Sequence, residues 1–252
     1  MHFPFYLPLG PLHVSFHFIF EMLAYTVGFL FYRRLRARVG DPIPDGARWT
    51  VIAAAAAGAA LGARLLNGLT APPQDLLHWH TAAPYFAGKT IVGALIGGLA
   101  AVELTKRFIG EKHSTGDLFA APLALGIAIG RVGCFFEGLP DQTYGIATSL
   151  PWGVDFGDGI RRHPTQLYES LFALLLLAFL FKMLRSPHRD GEVFKAFMVA
   201  YMGWRLAIDF LKPYPPWYGI GGIQWACLCM LLYYSPDISR WLLARQRAPE
   251  SL

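Results

Sequence analysis

The chain has 252 residues, of which 54% are hydrophobic and only 15% charged, whereas a soluble domain carries roughly 25% charged residues. Its mean hydropathy is +0.38, which excludes an ordinary soluble domain in favour of a membrane protein. The net charge is +5, but the basic residues stand in short clusters between apolar runs. That layout belongs to membrane-flanking loops and excludes the basic face of a nucleic-acid-binding protein.

The chain opens with MHFPFYLPLGPLH. It has no positive segment and no A-x-A-like site, so it reads as a short outer segment and not as a cleavable signal. Spanning helices of about 20 mostly apolar residues are expected at 14–31, 49–66, 90–104, 118–136, 166–182, 194–211 and 220–234. Several are short, which implies local thinning of the bilayer or shielding by neighbouring helices. Fifteen of the 22 Lys and Arg residues follow the first, third, fifth and seventh spans, and four lie on the other side. Positive-inside bias then puts the N-terminus outside and the C-terminus in the cytoplasm. The expected fold is an all-α membrane protein, a single integral-membrane bundle over residues 1–252. The Gly-, Pro- and Asp-rich stretch 137–165 would form an outer cap loop.

Gly58-x-x-x-Gly62 and Gly93-x-x-x-Gly97 mark close helix contacts. No internal repeat is present, against a transporter of repeated halves. The three cysteines, Cys134, Cys227 and Cys229, make no disulfide framework. Glu103, at the inner end of the third span, is expected to snorkel, and His78 and His80 to lie on the surface.

Arg64, Arg131 and Arg205 fall within apolar runs. Arginine at membrane depth is costly and faces a protein interior or a wet cavity. The expected topology puts all three in the outer half of the bilayer. Arg205, Asp209 and Lys212 are spaced i, i+4, i+7, one face of a continuous helix. A local Arg205–Asp209 ion pair would make that burial tolerable, and it can also frame a site. Glu21 is a further carboxylate in an apolar run. Guanidinium groups bind phosphate oxygens in a planar fork and stay charged, so the residues point to a lipid phosphate site open to the outer leaflet.

Two loop segments carry further chemistry. Gly130–Gly138 reads GRVGCFFEG, and 162–169 reads RHPTQLYE. In the second, Thr165 is a plausible helix N-cap and Glu169 a first-turn acid. Capping does not account for His163 beside two arginines.

The stretch RHPTQLYES, together with GRVGCF, resembles the prolipoprotein diacylglyceryl transferases. GAALGARLL, GALIGG, DLFAAPLALGIAIG and WRLAIDFLKP extend the resemblance over roughly residues 12–241. It implies a seven-helix bundle in the bacterial cytoplasmic (inner) membrane, with the N-terminus outside. The implied activity moves the diacylglyceryl group of phosphatidylglycerol onto the cysteine thiol of a lipoprotein precursor, with no metal and no cofactor. The implied partners are phosphatidylglycerol, the precursor's signal segment and membrane lipids. The family's GRxG arginine falls on Arg131, its sixth-span arginine on Arg205 and its HPxQLYE histidine on His163. Gly133, Cys134, Gln166, Tyr168, Arg64, Asp209 and Lys212 are the expected substrate-binding positions.

The chain departs from the family where protons are handled. The family's third-span histidine is matched here by Val92. The Asn, Asn and Glu usual around GRxG are matched by Cys134, Glu137 and Leu139, and the first-span Trp-Tyr pair by Phe20-Glu21. The base then falls to Glu21, Glu137 or His163. Two alternatives stay open: a related transferase with another acceptor, and a non-enzymatic phospholipid-binding or lipid-moving protein.

Overall fold

Helices form where the apolar runs lie, and several extend beyond them. The computed structural model describes residues 3–71, 73–213 and 220–247. Two short strands, β1 (Tyr6–Leu9) and β2 (Leu12–Ser15), pair antiparallel ahead of helix α1 (Phe16–Val39). Then come α2 (Asp45–Leu69), α3 (Pro73–Leu76), α4 (Trp79–Ala87), α5 (Ile91–Ile109) and α6 (Asp117–Glu137). A 3-10 turn (Leu139–Asp141) and the two-residue strands β3 (Val154–Asp155) and β4 (Arg161–Arg162) lead to α7 (Thr165–Leu184). Helix α8 (Glu192–Ile208), a second 3-10 turn (Asp209–Leu211), α9 (Gly222–Tyr233) and α10 (Ser235–Arg247) follow.

The seven expected spans fall on α1, α2, α5, α6, α7, α8 and α9. By length and composition alone, α2, α6 and α7 can cross a membrane. The others are shorter or carry charge. In α1, Arg33, Arg34, Arg36 and Arg38 extend the helix past its apolar part, where cations favour the negative C-terminal end. They are helical and not loop residues as expected, and Arg36 Nε pairs with Asp41 at 2.6 Å. Arg48 likewise lies in the first turn of α2, buried, donating to the Thr115 carbonyl at 2.8 Å. The segment 71–89, expected as loop, holds α3 and α4, with His78 and His80 exposed. Glu103 is exposed and meets Lys106 at 3.1 Å, as snorkelling predicts.

The described chain divides into two compact units. One takes in 3–41, 116–197 and 208–213, and the other 42–115, 198–207 and 220–247. In the second unit α2 packs on α5 through the two Gly-x-x-x-Gly motifs. A Cβ on Gly62 would stand 2.3 Å from the Gly93 carbonyl oxygen, and one on Gly97 would stand 2.3 Å from that of Gly58. Only glycine lets the backbones meet this closely.

In the first unit α6 packs between α1 and α7. Helix α7 reverses the usual order of a soluble helix. Thr165, Gln166, Glu169 and Ser170 are buried with Ala173, Leu176 and Leu180, while Leu171, Leu174, Leu175 and Phe179 are exposed. Exposed positions at i, i+3, i+4 and i+8 make one apolar stripe. Such a face is stable against lipid and not against water. The chain is therefore a mostly helical membrane protein.

Candidate active site

Glu169 ties the first unit's charges together. On α6, Arg131 shares its buried face with Ala124, Ile127 and Ala128. On α7, the buried face brings Glu169 to it, with Arg131 Nε 3.0 Å from Glu169 Oε2. Lys212 Nζ stands 4.0 Å from the same oxygen and 3.5 Å from Asp209 Oδ1. All four side chains are buried, and their formal charges balance. Breaking a buried ion pair costs roughly 3–5 kcal/mol, because it strands the other charge. The cluster therefore holds the guanidinium in one place.

Three sequence expectations are corrected here. Glu169 lies past the first turn of α7 and serves as Arg131's counter-ion. The cap is Pro164, and the Thr165 hydroxyl donates to the Thr143 carbonyl. The α-helix α8 ends at Ile208, so Lys212 lies beyond it and not on a further turn of one continuous helix. The tighter 3-10 turn, at 3.0 residues per turn, instead sets Lys212 beside Asp209.

Gln166 stands one turn before Glu169 on the same face of α7 and is 1% exposed. Neither polar atom of its amide has a hydrogen-bond partner among the described residues. Burying such an amide costs about 1–3 kcal/mol. A site for a ligand's polar group gives that cost a purpose. Ser170 donates to the Ala128 carbonyl at 2.8 Å and fixes α7 against α6 at this level.

The loop before α7 holds His163 by its backbone, with Gly145 N donating to His163 O (2.9 Å) and His163 N to Ile146 O (3.1 Å). His163 Nδ1 lies 3.3 Å from the Tyr168 hydroxyl, which also accepts from Trp152 Nε1 at 2.7 Å. The two flanking arginines brace the loop. Arg161 donates to the carbonyls of Gly153 and Pro151, and Arg162 forms a two-pronged pair with Asp158. That pair holds the Asp158 carboxyl below its ordinary range.

A second cluster joins α1 to the C-terminal end of α6. Glu137 accepts from Ser15 Oγ at 2.8 Å. Glu21 accepts from the Tyr25 hydroxyl at 2.9 Å and is half-buried, not fully buried. Arg131 Nη1 is 3.9 Å from Cys134 Sγ. Cys134, His17 and Asp141 bring ligand-type atoms within 4.8 Å of one another, the only such trio among the described residues. This is metal-ligand spacing, but the Arg131 cation beside the sulfur opposes a dication. Gly133 packs here: a Cβ on it would lie 2.8 Å from Phe20 Cβ and 3.3 Å from His17 Cα. It lets α1 approach α6.

Arg205 and Arg64 belong to the second unit. Arg205 is buried, as expected. Arg64 is exposed, with Nη1 3.5 Å from the Ala60 carbonyl of its own helix. That corrects its reading as a buried cation: its position in α2 faces outward. The sequence pattern passed over His17 and Asp141 and gave Glu169 only a place in the first turn of α7. For Glu169 the signal was present, since a carboxylate at i+3 from Gln166 on an apolar helix needs a cation.

Residues 4–235 match the family model described as prolipoprotein diacylglyceryl transferase. The phosphatidylglycerol–prolipoprotein diacylglyceryl transferase of Solidesulfovibrio magneticus is 31% identical over 264 residues, covering 96% of this chain and 93% of that protein. The protein of the same name from Bordetella avium is 31% identical, covering 91% and 90%, and that from Nitratidesulfovibrio vulgaris 28%, covering 95% and 92%. With the family model matched along most of its length, this chain belongs to the prolipoprotein diacylglyceryl transferase family.

Proposed function

We propose that this chain transfers the diacylglyceryl group of phosphatidylglycerol to the cysteine thiol of lipoprotein precursors. The reaction would run at the outer face of the bacterial cytoplasmic membrane. Seven spans, N-terminus outside, follow from the loop charges, with 137–165 as an outer cap. The observation that carries the reading is the buried Arg131 guanidinium, held at 3.0 Å by Glu169, which stands one turn of α7 after Gln166, whose amide has no hydrogen-bond partner among the described residues.

In the reaction the acceptor thiolate attacks the glycerol carbon that bears the phosphate. The carbon–oxygen bond breaks, and glycerol phosphate leaves with the bonding electrons. Negative charge on the departing phosphate is what a fixed guanidinium stabilises, and Arg131 takes that role. Gln166 is suited to a hydroxyl of the glycerol head group, through one donor and one acceptor. Lys212 and Asp209 hold the neutralising network, and His163 with Tyr168 shapes the loop beside α7. Arg205 is a second cation required for turnover.

Complementation tests the reading. Expressed in cells depleted of their own transferase, the chain is expected to restore lipidation of precursors. Correct insertion without lipidation would reject it. Arg131→Ala and Arg205→Ala are each expected to lose that rescue while still inserting.

A further inference from the structure

Transfer to a thiol needs a group to take its proton. We propose that His17, beside the Asp141 carboxylate, is the general base of this chain; the inference rests on the transferase reading above. His17 Nδ1 lies 3.7 Å from Asp141 Oδ1, and the Thr143 hydroxyl donates to Asp141 Oδ2. At that separation the Asp141 carboxylate acts on the ring through its charge, favouring the protonated imidazole that a base becomes.

The spacing fits the reaction. A ring nitrogen of His17 stands within 4.8 Å of Cys134 Sγ, and that sulfur is 3.9 Å from Arg131 Nη1. In a displacement, the base, the sulfur, the carbon and the leaving oxygen are separated by roughly 3 Å at each step. Base and leaving-group cation therefore belong several ångströms apart, and His17 and Arg131 both border the Cys134 sulfur. Gly133 makes this possible by letting the His17 backbone sit against α6.

The groups facing the ring are Glu21 from its own helix, at 4.0 Å from Nε2, Asp141 from the 3-10 turn, and Cys134 from α6 with Arg131 behind it. Two carboxylates beside the ring stabilise the imidazolium that forms when the proton arrives. Of the other candidate bases, Glu137 accepts from Ser15 and Glu21 from Tyr25, and His163 Nδ1 lies 3.3 Å from the Tyr168 hydroxyl.

The step balances. The acceptor S–H bond breaks and its proton goes to the imidazole. The S–C bond forms, the C–O bond breaks, and the leaving phosphate oxygen or water then takes the proton from the ring. Cys134 is no carrier in this scheme, because a thioether formed on it would have no leaving-group character for a second transfer.

The test uses the full-length protein in detergent, with phosphatidylglycerol in mixed micelles and a synthetic peptide bearing the precursor's acceptor cysteine. His17→Gln is expected to lower kcat at pH 7 by roughly 100-fold and to leave KM for phosphatidylglycerol within about twofold. Its activity should recover as pH passes the thiol's value of about 8.5, because the peptide then supplies its own thiolate. Asp141→Asn should show a smaller loss with the same recovery. An unchanged kcat, or a loss equal at every pH, would overturn the proposal. So would a diacylglyceryl adduct on Cys134, or activity removed by a chelator and restored by zinc. An inert wild-type protein would overturn the transferase reading and this base with it.

Discussion

Single residues in the first unit carry opposite stability signatures. Glu169 compensates Arg131 at 3.0 Å. Glu169→Ala is expected to destabilise the protein by about 3–5 kcal/mol, seen as a fall in thermal unfolding temperature in detergent, and to abolish turnover. Gln166 behaves the other way. Its amide is buried without a hydrogen-bond partner among the described residues, so Gln166→Leu should hold or raise stability by about 1 kcal/mol. The same variant should raise KM for phosphatidylglycerol about tenfold, the worth of about 1.4 kcal/mol of binding. An unfolding scan and a substrate titration on one protein sample check both. A Gln166→Leu protein that unfolds earlier and binds normally would make the residue structural.

Elements are governed by how closely their backbones approach. The α2 and α5 backbones meet where Gly58 and Gly62 face Gly93 and Gly97. A neighbouring side chain could move aside, but a carbonyl oxygen 2.3 Å from a new Cβ cannot, short of separating the helices. Gly62→Ala is expected to cost about 1–3 kcal/mol, measured as earlier unfolding, with little change in KM. The loop before α7 responds to acid instead. Its Asp158 carboxyl is held below the ordinary range, chiefly by its hydrogen bonds from Arg162. A carboxyl depressed in the folded state contributes stability above its unfolded value, about 3.9, and loses it as pH falls through the lower folded value. Hydrogen exchange at Ile160, whose amide donates to Asp158 Oδ1, corrected for intrinsic rate, should therefore speed up below about pH 4. Unchanged protection there would detach the loop's order from the Asp158–Arg162 pair.

At the scale of the whole molecule, the expected topology is open to direct labelling. Single cysteines placed at Asp158 and at Asp190, in a chain with its own cysteines removed, should react with a membrane-impermeant thiol reagent from opposite sides, the Asp158 position from outside. Reaction of both from one side would refute the alternating arrangement. Hydropathy is a local property, so the sequence by itself determined where the long apolar helices run and which motifs match the family, while most of the basic residues expected in loops lie in helices. It also marked Arg131 and Arg205 as cations that needed burial, and both are buried. Arg64 was not legible, because an apolar run does not say which of its faces turns inward. Only the tertiary structure decided that Arg131's counter-ion is Glu169, 38 positions along the chain, and that His17, Cys134 and Asp141 converge. The physical reason is that an ion pair or a base–thiol contact depends on the rotation and approach of packed helices. Those follow from close contacts such as Gly133 against His17, which no periodicity along one segment records.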